Sequence, residues 1–188
     1  MNIQERKIYS IFNRYFLILI LGLGDLALFY ILFTRPTVIL SNFLLSLISP
    51  TVLLENSILF KETLINIIPA CVAGSAYYLL TILSISIPNI KLKKRLSLIG
   101  FLFLSLFLFN SLRIFLLATI SRTDLFNTVH LITWYFITTI FVVAIWFLAV
   151  RLFKIKEIPI YSDVKFLLRS IKKSKSKKTK KSKRSKKN

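Results

Sequence analysis

Cysteine and histidine are almost absent from this sequence. The 188 residues include one of each, Cys71 and His130. A single cysteine cannot form a disulfide within the chain, and a metal site built from several Cys and His ligands is essentially excluded. Acidic residues are also scarce: the chain has seven Asp and Glu but 27 Lys and Arg. We therefore expect no metal and no other cofactor.

The positive charge is concentrated at one end of the chain. The net charge is +20, and 16 of the 27 basic residues follow Val150. Residues 171–187 consist almost entirely of Lys and Ser, a composition that cannot bury apolar area and predicts disorder from about residue 171. Juxtamembrane basic segments of this kind bind anionic lipids. A contact with a ribosome or nucleic acid is the lesser alternative, and we expect no nucleic-acid partner.

Long apolar runs dominate the rest of the chain. Hydrophobic residues make up 55%, including 17 Phe, and they run in blocks rather than at amphipathic spacing. About 20 apolar residues suffice to cross a bilayer. Four segments meet this description: 15–34, 70–87, 98–120 and 129–150. The sequence therefore predicts an all-α polytopic membrane protein with about four transmembrane helices.

The segment between the first two predicted spans has a different character. Arg35-Pro36 is expected to end the first span, because proline interrupts helices. Residues 37–49 are apolar but too few to cross, which favours an interfacial or re-entrant helix. Residues 51–68 contain β-branched runs separated by turn-like sequences at 55–57 and 61–62, which predict one or two short strands in a hairpin-like external segment.

Basic residues near the spans set the predicted orientation. Segments rich in Lys and Arg remain cytoplasmic, which places the N-terminus, loop 88–97 and the tail inside. Segments 35–68 and 121–128 carry few basic residues and are then external. The predicted organisation is a cytoplasmic N-terminus, a transmembrane domain and a basic cytoplasmic tail, over residues 1–14, 15–150 and 151–188.

Arg113 is the most unusual residue within the predicted spans. It lies about 10 Å from the external end of its helix at 1.5 Å per residue. A charge at the centre of a span costs at least ~2.5–3.5 kcal/mol, so such residues usually have a function or a partner. Asn110 lies one turn earlier on the same face, and both can point into a helix bundle. The alternative is that Arg113 extends outward to the headgroups. Asp25 is a second ionisable residue near the midplane, and its role is open.

Cys71 and His130 both begin predicted spans at the external face. A cysteine in the first turn of a helix lies near free N–H groups that favour a thiolate and can bind an oxyanion. Gly74 and Ser75 keep this turn slim. A histidine at the same level can act as general base and general acid. Asp124 lies near His130 in sequence, although a solvated acid is the simpler interpretation.

These residues together resemble the exosortase/archaeosortase family. The resemblance rests on Pro69-Ala70-Cys71-Val72-Ala73-Gly74, then Asn110-Ser111-Leu112-Arg113, then His130 opening the last span. It covers roughly residues 50–150, and the small size resembles minimal archaeal members. Many members have Cys-small-Gly, whereas here Gly74 lies one position further on.

The resemblance implies a membrane-embedded cysteine protease and transpeptidase. Such enzymes cut a C-terminal sorting signal (short motif, transmembrane segment, basic end) from secreted proteins and transfer the new carboxyl end to a membrane or surface acceptor. It implies that Cys71 is the nucleophile, that Arg113 stabilises the oxyanion or thiolate, and that His130 is the acid/base. Asn110 would be a supporting or substrate contact. The active site would face outward in the cell membrane.

Two non-enzymatic alternatives remain. An insertase-like protein would combine an intramembrane arginine with a basic C-terminal tail, as here, but it gives Cys71 and His130 no role. A structural helix bundle would use the polar residues only to hold helices together.

Overall fold

The protein is mostly helical, and a small β-sheet interrupts the helices. The computed structural model describes residues 3–24, 26–155, 161 and 163–170. Asp25 and the segment predicted to be disordered from about residue 171 lie outside the described residues. The helices are α1 (Ile3–Leu23), α2 (Ala27–Ser46), α3 (Pro69–Val72), α4 (Gly74–Ser86), α5 (Leu92–Thr119), α6 (Phe126–Ile132) and α7 (Thr138–Leu152). The strands are β1 (Thr51–Leu54), β2 (Ser57–Phe60) and β3 (Thr63–Asn66).

Three helical segments among the described residues are long and apolar enough to cross a membrane. They are α2, α5 and the continuous segment Phe126–Leu152, in which the π-helical turn Thr133–Ile137 joins α6 to α7. The last two contain most of the predicted spans 98–120 and 129–150. α4 is also apolar but has 13 residues, a length of about 20 Å. The helical membrane-type architecture is thus confirmed, while the count of four spans stays a prediction.

The first apolar segment does not form one helix, so the single span predicted over residues 15–34 is wrong. α1 ends at Leu23, which lies between Gly22 and Gly24, two residues of low helix propensity. Leu26 then adopts a left-handed conformation with φ 61°. The amide of Ala27 donates to Gly24 O at 2.9 Å and closes the turn that starts α2.

α1 and α2 follow one another along α4. Arg14 Nη1 in α1 donates to Ser86 O at the end of α4 (3.2 Å). Nearer the middle of α4, Tyr78 Oη donates to Ile18 O of α1 (3.1 Å). α2 contacts the other end of α4.

α2 continues through proline, which corrects two further predictions. Arg35-Pro36 does not end the helix, and residues 37–49 do not begin a separate interfacial helix, because α2 runs on to Ser46. Proline removes one backbone hydrogen bond, a loss that packed neighbours can offset in membrane helices. Val38 and Leu45, both in the second half of α2, are 1% and 0% exposed. Their burial is the tertiary packing that keeps this half helical.

The strands form a three-stranded antiparallel sheet in the order β1-β2-β3. The turn predicted at 61–62 is confirmed, whereas the turn predicted at 55–57 ends one residue earlier because Ser57 begins β2. The expectation of one or two strands was too low. Lys61 and Glu62 link β2 to β3 with φ values of 46° and 64°, as a two-residue hairpin of matching twist requires. Ile58 and Phe60 are buried from the same face of β2. They pack with side chains of α2 and α5, so the sheet covers one end of the bundle.

α5 is the central helix of the bundle. Leu98, Leu102 and Leu106 recur at every fourth position and are fully buried. Beside them, the rings of Phe33 in α2 and Tyr77 in α4 stack with their centroids 3.9 Å apart. This packing fixes the start of α4 against α2 and α5, where the candidate site lies.

An ion pair fastens part of the basic tail to α1. Residues 163–170 are helical, and Asp163 is only 4% exposed. Its carboxylate accepts hydrogen bonds from Arg14 Nη2 (2.8 and 3.0 Å) and from Tyr15 Oη (3.2 Å). Since Arg14 also binds the end of α4, this cluster joins three segments at the end of the bundle that carries the basic residues.

Substituting Asp163→Asn is expected to destabilise the protein by about 3 kcal/mol, because breaking a buried ion pair leaves one charge without a partner. Thermal unfolding in detergent and the rate of proteolysis within residues 163–170 both report the loss. Glu62→Gln is the matched control. Its partner is Arg122 at 3.2 Å, but the Glu62 side chain is 93% exposed, and exposed pairs contribute little. Equal effects of the two substitutions would contradict the role given to Asp163.

Gly74→Ala is expected to lower stability by about 1–3 kcal/mol through overpacking. A Cβ at Gly74 would lie 2.6 Å from Tyr30 Cε1 and 2.8 Å from Tyr30 Cζ, whereas one at Gly100 in α5 meets nothing within 4 Å. Gly100→Ala should therefore stabilise α5 by up to about 1 kcal/mol. The melting temperatures of the two variants should shift in opposite directions. A melting temperature for Gly74→Ala at or above that of the unsubstituted protein would show that Tyr30 moves aside freely.

Candidate functional site

Cys71 lies in a single helical turn rather than at the start of a long helix. α3 has four residues and ends at Val72, and the next residue, Ala73, is left-handed with φ and ψ of 60° and 44°. For a residue other than glycine this conformation costs about 1 kcal/mol or more. The amide of Cys71 donates to Ile68 O at 2.8 Å. The expectation that free N–H groups surround Cys71 is therefore wrong for its own amide.

Two side chains of α5 hold the carbonyl oxygen of Cys71. Asn110 Nδ2 donates to Cys71 O, and Arg113 Nη2 donates to the same oxygen at 3.2 Å. Asn110 is 1% exposed and Arg113 is 6% exposed. Both side chains therefore face the bundle, and Arg113 does not extend outward to the headgroups. We call this arrangement of Asn110 and Arg113 on Cys71 O the carbonyl clamp.

Arg113 also binds the last membrane helix. Its Nη1 donates to Thr138 Oγ1 at 3.1 Å, and Thr138 Oγ1 donates in turn to Thr133 O at 2.8 Å. The guanidinium carbon lies 6.0 Å from the centre of the Trp134 ring. Thr133 and Trp134 belong to the π-helical turn, and Thr138 follows it. π-Helical turns are often found at functional sites. Arg113 thus joins α3, α5 and α7.

Cys71 and His130 line the same cavity. It has a volume of about 380 Å³ and lies between β3, α5 and α6. The ring of His130 stacks on Phe126 at 5.6 Å and meets Trp134 edge-on at 6.1 Å. In the described part of the chain, its nitrogens make no hydrogen bond.

Trp134 separates this cavity from a second one. The second cavity, of about 330 Å³, is lined by Arg113, Ser75 and Trp134 among others. Ser75 therefore lies on the far side of Trp134 from the Cys71 cavity. Gly74 is buried, and its lack of a side chain makes room for the ring of Tyr30. It was expected instead to keep the Cys71 turn slim.

Several buried polar atoms between α2 and α5 have no hydrogen-bond partner within the described residues. They are Thr37 Oγ1, Ser41 Oγ, Asn110 Oδ1 and Ser111 Oγ. Small hydroxyl residues at a helix interface let the backbones approach closely.

The structure therefore brings some predicted site residues together and leaves others apart. Cys71, Asn110 and Arg113 are in direct contact, and His130 shares the Cys71 cavity. Asp124 is exposed and makes no contact with His130 in the described part of the chain. Among described residues, no group of three or more His, Cys, Asp or Glu could hold a metal ion.

Sequence reasoning missed Thr138 and Trp134. A threonine pair at 138–139 within an apolar run was the available signal for the first, and a tryptophan four residues after His130 for the second. Neither feature of the sequence shows that Thr138 or Trp134 contacts Arg113. The π-helical turn changes which residues of this helix face α5, and the sequence does not reveal that turn.

Comparison with known proteins identifies no relative. No protein-family model, curated protein or solved structure matches this chain. The functional interpretation therefore depends on the site residues and their geometry.

Proposed function

We propose that this protein is a membrane-embedded cysteine protease and transpeptidase that cuts C-terminal sorting signals from secreted proteins. The observation that carries the proposal is that the only cysteine and the only histidine of the chain line one cavity. The same cysteine is held through its carbonyl oxygen by a buried arginine. The resemblance of Cys71, Asn110, Arg113 and His130 to the exosortase/archaeosortase pattern supports this chemistry.

In the first step the Cys71 thiol loses its proton to His130, and the thiolate attacks the carbonyl carbon of the substrate peptide. A carbon–sulfur bond forms and the carbonyl oxygen becomes negatively charged. Arg113 supplies positive charge close to this point, because its Nη2 binds Cys71 O at 3.2 Å. A fixed positive charge of this kind stabilises the developing oxyanion electrostatically.

In the second step the peptide carbon–nitrogen bond breaks. His130 gives its proton to the leaving amine, and the substrate remains as a thioester on Cys71. An acceptor amine or hydroxyl then attacks the thioester while His130 takes its proton, and the Cys71 thiolate leaves. Attack by water instead gives simple hydrolysis. An apolar cavity wall formed by β3 and α5 favours transfer by limiting water.

The distribution of charge supports an orientation for this reaction. The sheet and the Cys71 cavity lie at one end of the bundle, whereas Arg14 and Arg95 lie at the other. Basic segments near spans stay cytoplasmic. The proposed site then faces outward, where a secreted protein held by a C-terminal transmembrane segment would present its signal at the same level.

One observation favours a structural alternative. Arg113 is already bound to Thr138 and to Cys71 O, so it could serve only to hold helices together. In that case Cys71 would need its carbonyl group and not its thiol. Replacing the thiol alone distinguishes the two functions.

Cys71→Ser is expected to abolish processing while keeping the fold, because the hydroxyl preserves the carbonyl clamp but is a far weaker nucleophile. The test is to sequence the C-termini of surface proteins in the native host by mass spectrometry. With unsubstituted protein, a set of them should lack a C-terminal transmembrane segment, and with Cys71→Ser the same proteins should retain it. Ser97→Ala, a hydroxyl change at the opposite end of α5, is the control and should process normally. Identical C-termini for the unsubstituted protein and Cys71→Ser would favour the structural alternative.

A further inference from the structure

The end of the bundle opposite Cys71 contains a second, strongly basic cavity. It has a volume of about 430 Å³ and is lined by α1, the loop after α4 and the start of α5. Its charged and polar lining residues include Arg6, Tyr9, Asn13, Arg14, Asn89 and Arg95. None of the described residues that line it is acidic. We call it the arginine cavity.

The arginines of this cavity differ in whether an acidic side chain neutralises their charge. Arg14 is paired with Asp163 at 2.8 Å. Arg95 donates to Ile87 O at 2.7 Å, which is a neutral acceptor. Its Nε is buried and has no partner within the described residues. Arg6 is exposed and has no ion pair in the described part of the chain. Two guanidinium groups at this cavity therefore have no counterion within the part of the chain that the structure describes.

Unbalanced guanidinium groups around a concave site favour an anion. A planar guanidinium donates two parallel hydrogen bonds to a phosphate, which is the anion that arginine recognises best alongside carboxylate. The amides of Asn13 and Asn89 and the hydroxyl of Tyr9 add neutral donors at the same cavity. A phosphate bound here therefore gains both charge-assisted and neutral hydrogen bonds.

The position of the cavity indicates where such a phosphate comes from. It lies where the apolar run of α4 has ended and that of α5 has yet to begin, next to Pro88 and Asn89. Basic pockets between membrane helices at this level bind phospholipid headgroups. We propose that the arginine cavity binds a phosphate group, either that of an anionic phospholipid or a soluble phosphate. This site is separate from Cys71, and it does not depend on the proposed transpeptidase activity.

The test is a binding titration on the purified full-length protein in a neutral detergent. The probe is a fluorescent short-chain phosphatidic acid, and anisotropy gives its dissociation constant. In the double variant Arg6→Gln with Arg95→Gln, the dissociation constant should rise by about tenfold or more, as expected for the loss of charge-assisted hydrogen bonds. Lys93→Gln with Lys94→Gln is the matched control. It removes the same charge from the same end of the bundle, but neither lysine lines the cavity. It should change the constant by less than about threefold, since exposed charges act only through a screened field.

Two further measurements complete the test. Arg6→Gln alone changes an exposed residue, so it should weaken binding with an unchanged melting temperature, even if Arg95→Gln disturbs the fold. Competition by inorganic phosphate at the concentrations that phosphatidic acid needs would identify a site for soluble phosphate. Competition only by unlabelled phosphatidic acid, and not by phosphatidylcholine, would identify a lipid headgroup site. Equal weakening by the arginine and lysine pairs, or no weakening by either, would overturn the proposal.

Discussion

The burial of the Arg113 guanidinium group determines how the end of the bundle that carries Cys71 is built. Arg113 lies inside a helix that is apolar enough to cross a membrane, where an unpaired charge is costly. Its hydrogen bonds to Cys71 O and to Thr138 offset that cost. Because these acceptors belong to α3 and to the start of α7, satisfying the arginine places both segments against α5. Cys71 is thereby held beside the cavity that it shares with His130.

Much of this arrangement can be predicted from local patterns. Two of the long apolar runs correspond to α5 and Phe126–Leu152, because about 20 apolar residues leave few alternatives to a membrane helix. Asn110 and Arg113 are three residues apart, so helical geometry alone places them on one face. Lys61-Glu62 between β-branched runs indicates a hairpin turn. These features depend on residues near one another in sequence.

The remaining features depend on tertiary contacts that no local pattern contains. Pro36 predicts a helix end, yet α2 continues because packing of its second half offsets the lost hydrogen bond. Ala73 carries no sequence signal for its left-handed conformation at the junction of α3 and α4. The π-helical turn brings Thr138 to Arg113, and its presence cannot be derived from composition. The third strand forms only because β2 is present to pair with it.

The most direct test of the account uses the fact that Cys71 is the only thiol in the chain. A membrane-impermeant maleimide applied to the outer face of intact membranes measures whether that thiol is accessible and reactive. We expect labelling at neutral pH, slowed by His130→Ala through loss of the base and by Arg113→Gln through loss of the carbonyl clamp's charge. Arg151→Gln, an exposed position at the end of α7, should leave the rate unchanged. No external labelling, or one common rate in all four proteins, would contradict a nucleophilic Cys71 and leave the clamp as a purely structural contact.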